Sequence, residues 1–283
     1  VIPAPFEYAR AGSVDEAIQL LGSNEDAKLI AGGHSLLPLM RLRFARPALL
    51  VDIDRLSELE YVKDGGDHVE IGANCRMGDL ASNALLRSDS PLMAYTCSLV
   101  GDPQVRHRGT IGGCAAHGDP ASDPPTTLTA LGASLVVRGP SGERVVPASD
   151  FFKGIFDTDL GPQDVLTAVR VPKTGSAGWS YQKFHRRAID WAIVGVAALV
   201  NRDDGTVSSA SVALTNMGSK PVKAAGVEDA LEGAAASAES VAGAAEHAAE
   251  GTEPISDTNA SAEFRQHLAR VLTKRALEDA LAK

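Results

Sequence analysis

Along this chain, short continuous apolar runs take turns with helical spacing, and their order sets the first expectations. Ser13 and Glu16 have capping-box spacing, in which a hydroxyl and a carboxylate satisfy free backbone N–H groups at a helix start. Ala17, Leu20 and Leu21 then share one face and Gly22 stops the run, which predicts a helix. "AKLIA" is a short apolar run ending at Gly32-Gly33, so it reads as a buried strand, followed by a short helix with Pro38 in its first turn. "ALLVDI" is a further strand. To about Leu56 the pattern is that of a small β-α-β unit.

A second unit opens on the alternating strand "DHVEIGA", and "MGDLASNALL" and "PLMAYTCSL" follow as helices. "GDPQVRHRGTIGGCAAHGDPASDPP" is dense in Gly, Pro, Asp and His and reads as irregular; "TTLTALG" resumes as a helix. "SLVVRGPSGERVV" is a hairpin turning at Pro-Ser-Gly-Glu, and "VLTAVRVP" closes the unit as a strand. From about Gly175 the pattern changes. "SYQKFHRR", "WAIVGVAALVN" and "VSSASVALTNM" are strands, and the alanine-rich remainder is helical, with Phe264, Leu268, Val271, Leu272 and Leu281 as its apolar positions. The expected units are 1–56, 57–174 and 175–283.

Composition narrows the function. The chain has 283 residues, 44% hydrophobic and 22% charged, enough for a sizeable core. A net charge of -9 argues against nucleic acid, which calls for clustered Lys and Arg. No apolar run reaches membrane-spanning length and no secretion signal is visible, so the cytoplasm is expected. Cys75, Cys97 and Cys114 form no CxxC pair, which disfavours a disulfide framework, an iron–sulfur site and a zinc site.

Two segments share one signal. "AGGHSL" (Ala31, Gly32, Gly33, His34, Ser35, Leu36) and "TIGGCA" (Thr110, Ile111, Gly112, Gly113, Cys114, Ala115) each put adjacent glycines after an extended segment. Glycine permits positive φ and leaves no side chain between backbone and ligand, so successive N–H groups can converge on an anion. Two such loops facing each other would suit a pyrophosphate; the plainer reading is that each merely reverses the chain. The second is followed by His117, Asp119 and Asp123 in a Pro-rich stretch, and an Asp after a phosphate loop is placed to accept from ribose hydroxyls. Arg106, His107 and Arg108 either neutralise diphosphate or form a solvated ridge, the second being favoured. Valine at Gly33 or Gly113 is expected to strip the ligand.

These residues carry a resemblance. "AGGHSLLPLM", "DPQVRHRGTIGGCAAHGDPASD" and "ALTNMGSKP" resemble the FAD-binding medium subunits of molybdenum hydroxylases, the xanthine dehydrogenase family, and among them the aerobic carbon monoxide dehydrogenase type. The likeness covers essentially the whole chain. It implies an α+β fold: two α/β subdomains of the vanillyl-alcohol-oxidase-like FAD-binding type, plus a C-terminal α+β domain with a small antiparallel sheet and helices. By motif, the two glycine segments would hold the diphosphate of non-covalent FAD, and Asp123 would meet ribitol or ribose hydroxyls. Leu166 would lie against flavin or adenine. "KFHRRAIDWAIVG" resembles the segment beside the isoalloxazine, which would put Lys183, Asp190 and Trp191 at the redox end, Trp191 standing where Tyr is usual. Arg186, Arg187 and Asp190 read as an ion-pair network. Cys114 stands where the family often has Asn or Ser.

The resemblance also implies partners: a large subunit with the molybdenum cofactor and a small subunit with two [2Fe-2S] clusters, assembled as a dimer of heterotrimers. This chain would collect electrons on FAD and pass them on. A bulky Trp191 would obstruct nicotinamide, so a quinone or similar membrane-linked acceptor is expected, with the complex at the inner face of the membrane. Alternatives are an FAD subunit serving nicotine, xanthine or aldehyde oxidation, a self-sufficient flavin oxidoreductase, and an assembly module without FAD.

Overall fold

The computed structural model describes residues 2–283. Its first sheet has three parallel strands in the order Glu7–Arg10, Leu49–Asp52, Ala27–Ile30. Parallel neighbours require crossovers, and the helices Val14–Ser23 and Leu36–Arg41 supply them. Glu7–Arg10 carries no apolar signal in the sequence, because this mostly exposed edge strand exists only through its pairing with Leu49–Asp52. The capping box is displaced by one residue: Ser13 Oγ accepts from Glu16 N (3.1 Å), while Glu16 accepts from Gly12 N (2.7 Å) rather than from Ser13. The helix runs through Gly22 to Ser23 instead of stopping. A glycine within a helix costs only about 1 kcal/mol, and here, in the last turn, it leaves room for the Gln163 side chain.

The second sheet is antiparallel, in the order Val62–Asp64, His68–Gly72, Val165–Pro172, Ser134–Gly139, Gly142–Pro147. Two expectations change here. "MGDLASNALL" is two helices, Met77–Ser82 and Ala84–Asp89, broken at Asn83, which takes an extended ψ and caps the second through Leu86 N (3.0 Å). The stretch read as irregular is largely helical. Asp102 caps Pro103–Arg108 through Val105 N (2.9 Å), Thr110 caps Ile111–His117 through Gly113 N (3.0 Å), and Asp123 itself opens Asp123–Ala130. Its Pro and Asp are helix-start chemistry, which in composition looks like loop chemistry.

The third sheet is an antiparallel meander of Gly178–Phe184, Val194–Asp203, Thr206–Thr215 and Val222–Lys223. Tyr181, Ala197 and Ala213 join the core of the second unit, while Val194, Val196, Ala198, Val212 and Leu214 join the core that includes the helix Ala262–Leu281. Burial on both faces is why these strands read as unbroken apolar runs. The second of them starts at Val194, leaving Trp191 outside it.

A buried acid ties the second sheet together. Glu70, 8% exposed, accepts from Tyr61 Oη (2.9 Å) and Arg170 Nε (2.9 Å) and pairs with Lys63 Nζ (2.8 Å). Burial alone would raise its carboxyl, but the bonds from Lys63, Tyr61 and Arg170 outweigh that and hold it at about 2. A carboxyl depressed in the folded state stabilises above its ordinary value, and that contribution fades as pH falls through the folded value. Thermal melts between pH 6 and 3 should therefore show an acid limb to which Glu70 contributes about 3 kcal/mol at most, beside carboxyls such as Asp257 that are also held low. Glu70→Gln should flatten that limb, and an unchanged limb would refute the assignment.

Candidate cofactor site

Between the strand Ala27–Ile30 and the helix Leu36–Arg41 the chain makes an open nest. Gly33 has φ +75°, a left-handed conformation that a side chain would strain. The backbone N–H groups of Gly32, Gly33, His34, Ser35 and Leu36 meet no acceptor among the described residues. Consecutive unspent amides around a left-handed glycine form an anion-binding concavity. A Cβ on Gly32 would lie 2.1 Å from the Arg108 carbonyl oxygen and 3.1 Å from Gly109 Cα. The first glycine segment therefore rests directly on the backbone leading into the second. Half-buried Ala31 packs against the first unit's core, and exposed His34 turns Nδ1 to Gly32 O (3.2 Å).

The contact is braced by charge. Asp54 pairs with Arg76 and with Arg108 (3.0 Å), and Arg76 also donates to Arg108 O (2.6 Å). Burial would raise the Asp54 carboxyl, but Arg76 and then Arg108 hold it below its ordinary value. Arg106 donates to Val100 O (3.1 Å). Arg106 and Arg108 thus both act as braces within the protein, while His107 and Arg108 remain exposed.

The second glycine pair differs from the first. Ile111 N donates to Cys75 O (3.0 Å), Gly112 N to Ala73 O (2.9 Å), Gly113 N to Thr110 Oγ1 (3.0 Å) and Cys114 N to Thr110 O (3.0 Å). These amides are committed to acceptors within the protein, whereas those of the first glycine segment meet none among the described residues. A Cβ on Gly112 would lie 2.5 Å from Ala73 Cβ, so this glycine serves the seating of a helix on a strand end. Ile111 and Ala115 are core residues. The Cys114 Sγ lies 3.6 Å from Ser122 Oγ, and burial pushes its thiol up to about 12, which leaves it inert.

Asp123, 4% exposed, is held by partners within the protein. Its carboxylate accepts from Lys183 Nζ (2.7 Å) and Tyr181 Oη (2.7 Å). Lys183 also donates to Leu99 O (3.1 Å), and Tyr181 meets Thr215 Oγ1 (2.9 Å), which reaches Thr126 (2.8 Å). Burial pushes the Asp123 carboxyl up, opposed by the Lys183 charge. Burial and the facing Asp123 drive the Tyr181 hydroxyl well above its ordinary value. His185 Nδ1 is buried without a partner among the described residues. Sequence reasoning singled out Asp123 and Lys183 but missed Tyr181 and Thr215. The available signal was period-2 alternation, which puts Tyr181 and Lys183 on one face of a strand.

Leu166 is 4% exposed within the second unit's core. Beyond Phe184 a loop is closed by Ile193 N to Phe184 O (2.8 Å) and turned by the Arg187–Asp190 ion pair (2.9 Å). Trp191 stands on it, 68% exposed, with Ile189 at 52%.

Residues 4–174 match the family described as FAD binding domain in molybdopterin dehydrogenase, and residues 179–280 match the CO dehydrogenase flavoprotein C-terminal domain. The chain belongs to this family of FAD-binding oxidoreductase subunits. It is 42% identical to the carbon monoxide dehydrogenase medium chain of Hydrogenophaga pseudoflava, an alignment covering 100% of this chain and 99% of that one. It is 38% identical to the glyceraldehyde dehydrogenase medium chain of Sulfolobus acidocaldarius, over 98% and 99% of the two chains. The fold superposes with a TM-score of 0.97 on a chain of carbon monoxide dehydrogenase from Hydrogenophaga pseudoflava lacking the Mo-pyranopterin moiety, at 44% identity over 100% and 99% of the chains. The nest at Gly32–Leu36 fits the cofactor's diphosphate: an anion needs converging donors and no intervening Cβ.

Proposed function

We propose that this chain is the FAD-carrying electron-transfer subunit of a molybdenum hydroxylase of the aerobic carbon monoxide dehydrogenase type. Full-length likeness to a carbon monoxide dehydrogenase medium chain carries that reading. In it, FAD is held non-covalently, with its diphosphate on the amides of Gly32–Leu36 and Thr110–Ala115 walling the far side. Leu166 and Asp123 lie along the cofactor's length. Lys183, Asp190 and Trp191 mark the flavin end, where the aromatic face of Trp191 can shield one side of the ring. When bound, FAD supplies the redox chemistry; the protein supplies binding, orientation and electrostatics.

The electrons come from outside this chain. No group of three or more metal-ligating residues exists among the described residues, and all three cysteines are free. A small iron–sulfur subunit and a large molybdenum subunit complete the proposed assembly, a dimer of heterotrimers. A quinone or similar acceptor takes the electrons, Trp191 obstructing nicotinamide. No helix among the described residues is long and apolar enough to cross a membrane, so contact with the inner membrane face would run through partners. A second reading, a sister enzyme oxidising an aldehyde, is favoured by the 38% identity to a glyceraldehyde dehydrogenase medium chain. Medium chains with different named substrates resemble this one almost equally, because substrate chemistry sits on another subunit.

The test is an absorption spectrum before and after acid precipitation. FAD is expected in the supernatant; a colourless protein that also fails to take up added FAD would sink the reading. Rapid NAD reduction by the whole complex would overturn the acceptor assignment alone.

A further inference from the structure

The motif "ALTNMGSKP" has so far no role, and its Asn216 sits where two halves of the candidate site meet. Asn216 follows the strand Thr206–Thr215 with φ +62°, a left-handed conformation that Asn tolerates better than most side chains. Its backbone N–H donates to Pro120 O (2.9 Å), in the turn between the glycine helix Ile111–His117 and Asp123. Its side-chain Nδ2 donates to Ala192 O (2.9 Å) and Ile193 O (3.3 Å), at the base of the Trp191 loop. Ile193 O also receives the Arg265 guanidinium, 1% exposed and paired with Asp257 (2.9 Å). The base of the loop is therefore pulled inward by donors from two elements, while its tip is turned by Arg187 and Asp190 and carries Trp191 outward.

We propose that Asn216 is a positioning residue: its side chain holds the 185–193 loop in register with the Pro120 turn, and so sets where Trp191 stands over the flavin. The loop half of this stands on the hydrogen bonds above; the flavin half rests on the proposed placement of FAD. Left-handed backbone and donor amide are needed at the same residue. Glycine would meet the first requirement and alanine neither.

The experiment uses the FAD-loaded protein in a Trp179→Phe background, which leaves Trp191 as the sole tryptophan of the two in the chain. Asn216→Gly keeps the backbone conformation and the bond to Pro120 but removes both side-chain bonds; Asn216→Asp keeps the size and turns the donor into an acceptor. Both should speed amide hydrogen exchange across 186–192 by about tenfold. Exchange in the glycine helix should stay unchanged in Asn216→Gly. Quenching of Trp191 fluorescence by bound FAD should weaken at equal FAD content. Unchanged exchange and quenching in Asn216→Gly would overturn the proposal while leaving the FAD placement standing. Trp191 emission that is indifferent to FAD in the parent protein would instead show that the flavin lies elsewhere, and would end the flavin half of the inference.

Discussion

Gly32→Ala is expected to strip FAD from the protein. The added methyl would sit 2.1 Å from the Arg108 carbonyl oxygen, a backbone atom braced by Arg76, so the loop must lift away from the 108–109 segment. Overpacking of this kind costs about 1–3 kcal/mol, and the displaced loop no longer converges its amides. Hydrogen bonds to a charged group are worth about 1.5–3 kcal/mol each, so losing two weakens binding by at least about 100-fold. Gly33→Val should be the next most severe. It strains a left-handed position by about 1–2 kcal/mol, yet its nearest obstacle is only the flexible Leu37 side chain. Gly113→Val should be milder than the sequence suggests, since it disturbs the Thr110 cap but no unspent donor. Flavin content per protein orders the three. Full flavin in Gly32→Ala, or flavin lost only from Gly113→Val, would contradict the assignment of the nest.

Asp123→Ala is expected to cost about 3–5 kcal/mol of stability, because it abandons a buried ammonium. Both side chains are 5% exposed, and a domain has only about 5–15 kcal/mol in hand. Asp123→Asn combined with Lys183→Met removes both charges and should recover most of the loss. Lys183→Met alone should make stability depend on pH in a definite direction. Burial already pushes the Asp123 carboxyl up, and the opposing Lys183 charge would be gone. A carboxyl whose folded-state value lies above its unfolded one binds more protons when folded, so stability rises as pH falls towards the unfolded value. Urea midpoints of Lys183→Met should therefore be higher at pH 5 than at pH 8. Equal midpoints, or a double variant as unstable as Asp123→Ala, would show that the pair is not the buried ion pair described.

Asp123 also shows how the chain can point to a residue without disclosing its partners. Its position after the glycine segment is visible in the chain, and so is the helical region that follows it. Its partners are not: Lys183 and Tyr181 lie about sixty residues away and reach it only because the third sheet packs on the second unit. The braces Arg76, Arg108 and Asp54 were hidden for the same reason, joining three positions with no shared period.

What the sequence determined by itself was local or cumulative. The cap at Ser13, the β-α-β opening, and the apolar strands of the third sheet follow from neighbouring residues and their period. Family membership was legible because several motifs recur in one order along the whole chain. The helices inside the Gly- and Pro-rich stretch were missed because helix starts and loops draw on the same residue types. Only the tertiary structure decided which amides of each glycine pair are left without an acceptor. Gly32-Gly33 and Gly112-Gly113 look alike as sequence. Yet the amides of the second are spent on Ala73, Cys75 and Thr110, while those of the first remain unspent against the Arg108 backbone. A hydrogen-bond donor is available to a ligand only if no acceptor elsewhere in the fold has taken it, and that is settled by residues far away along the chain.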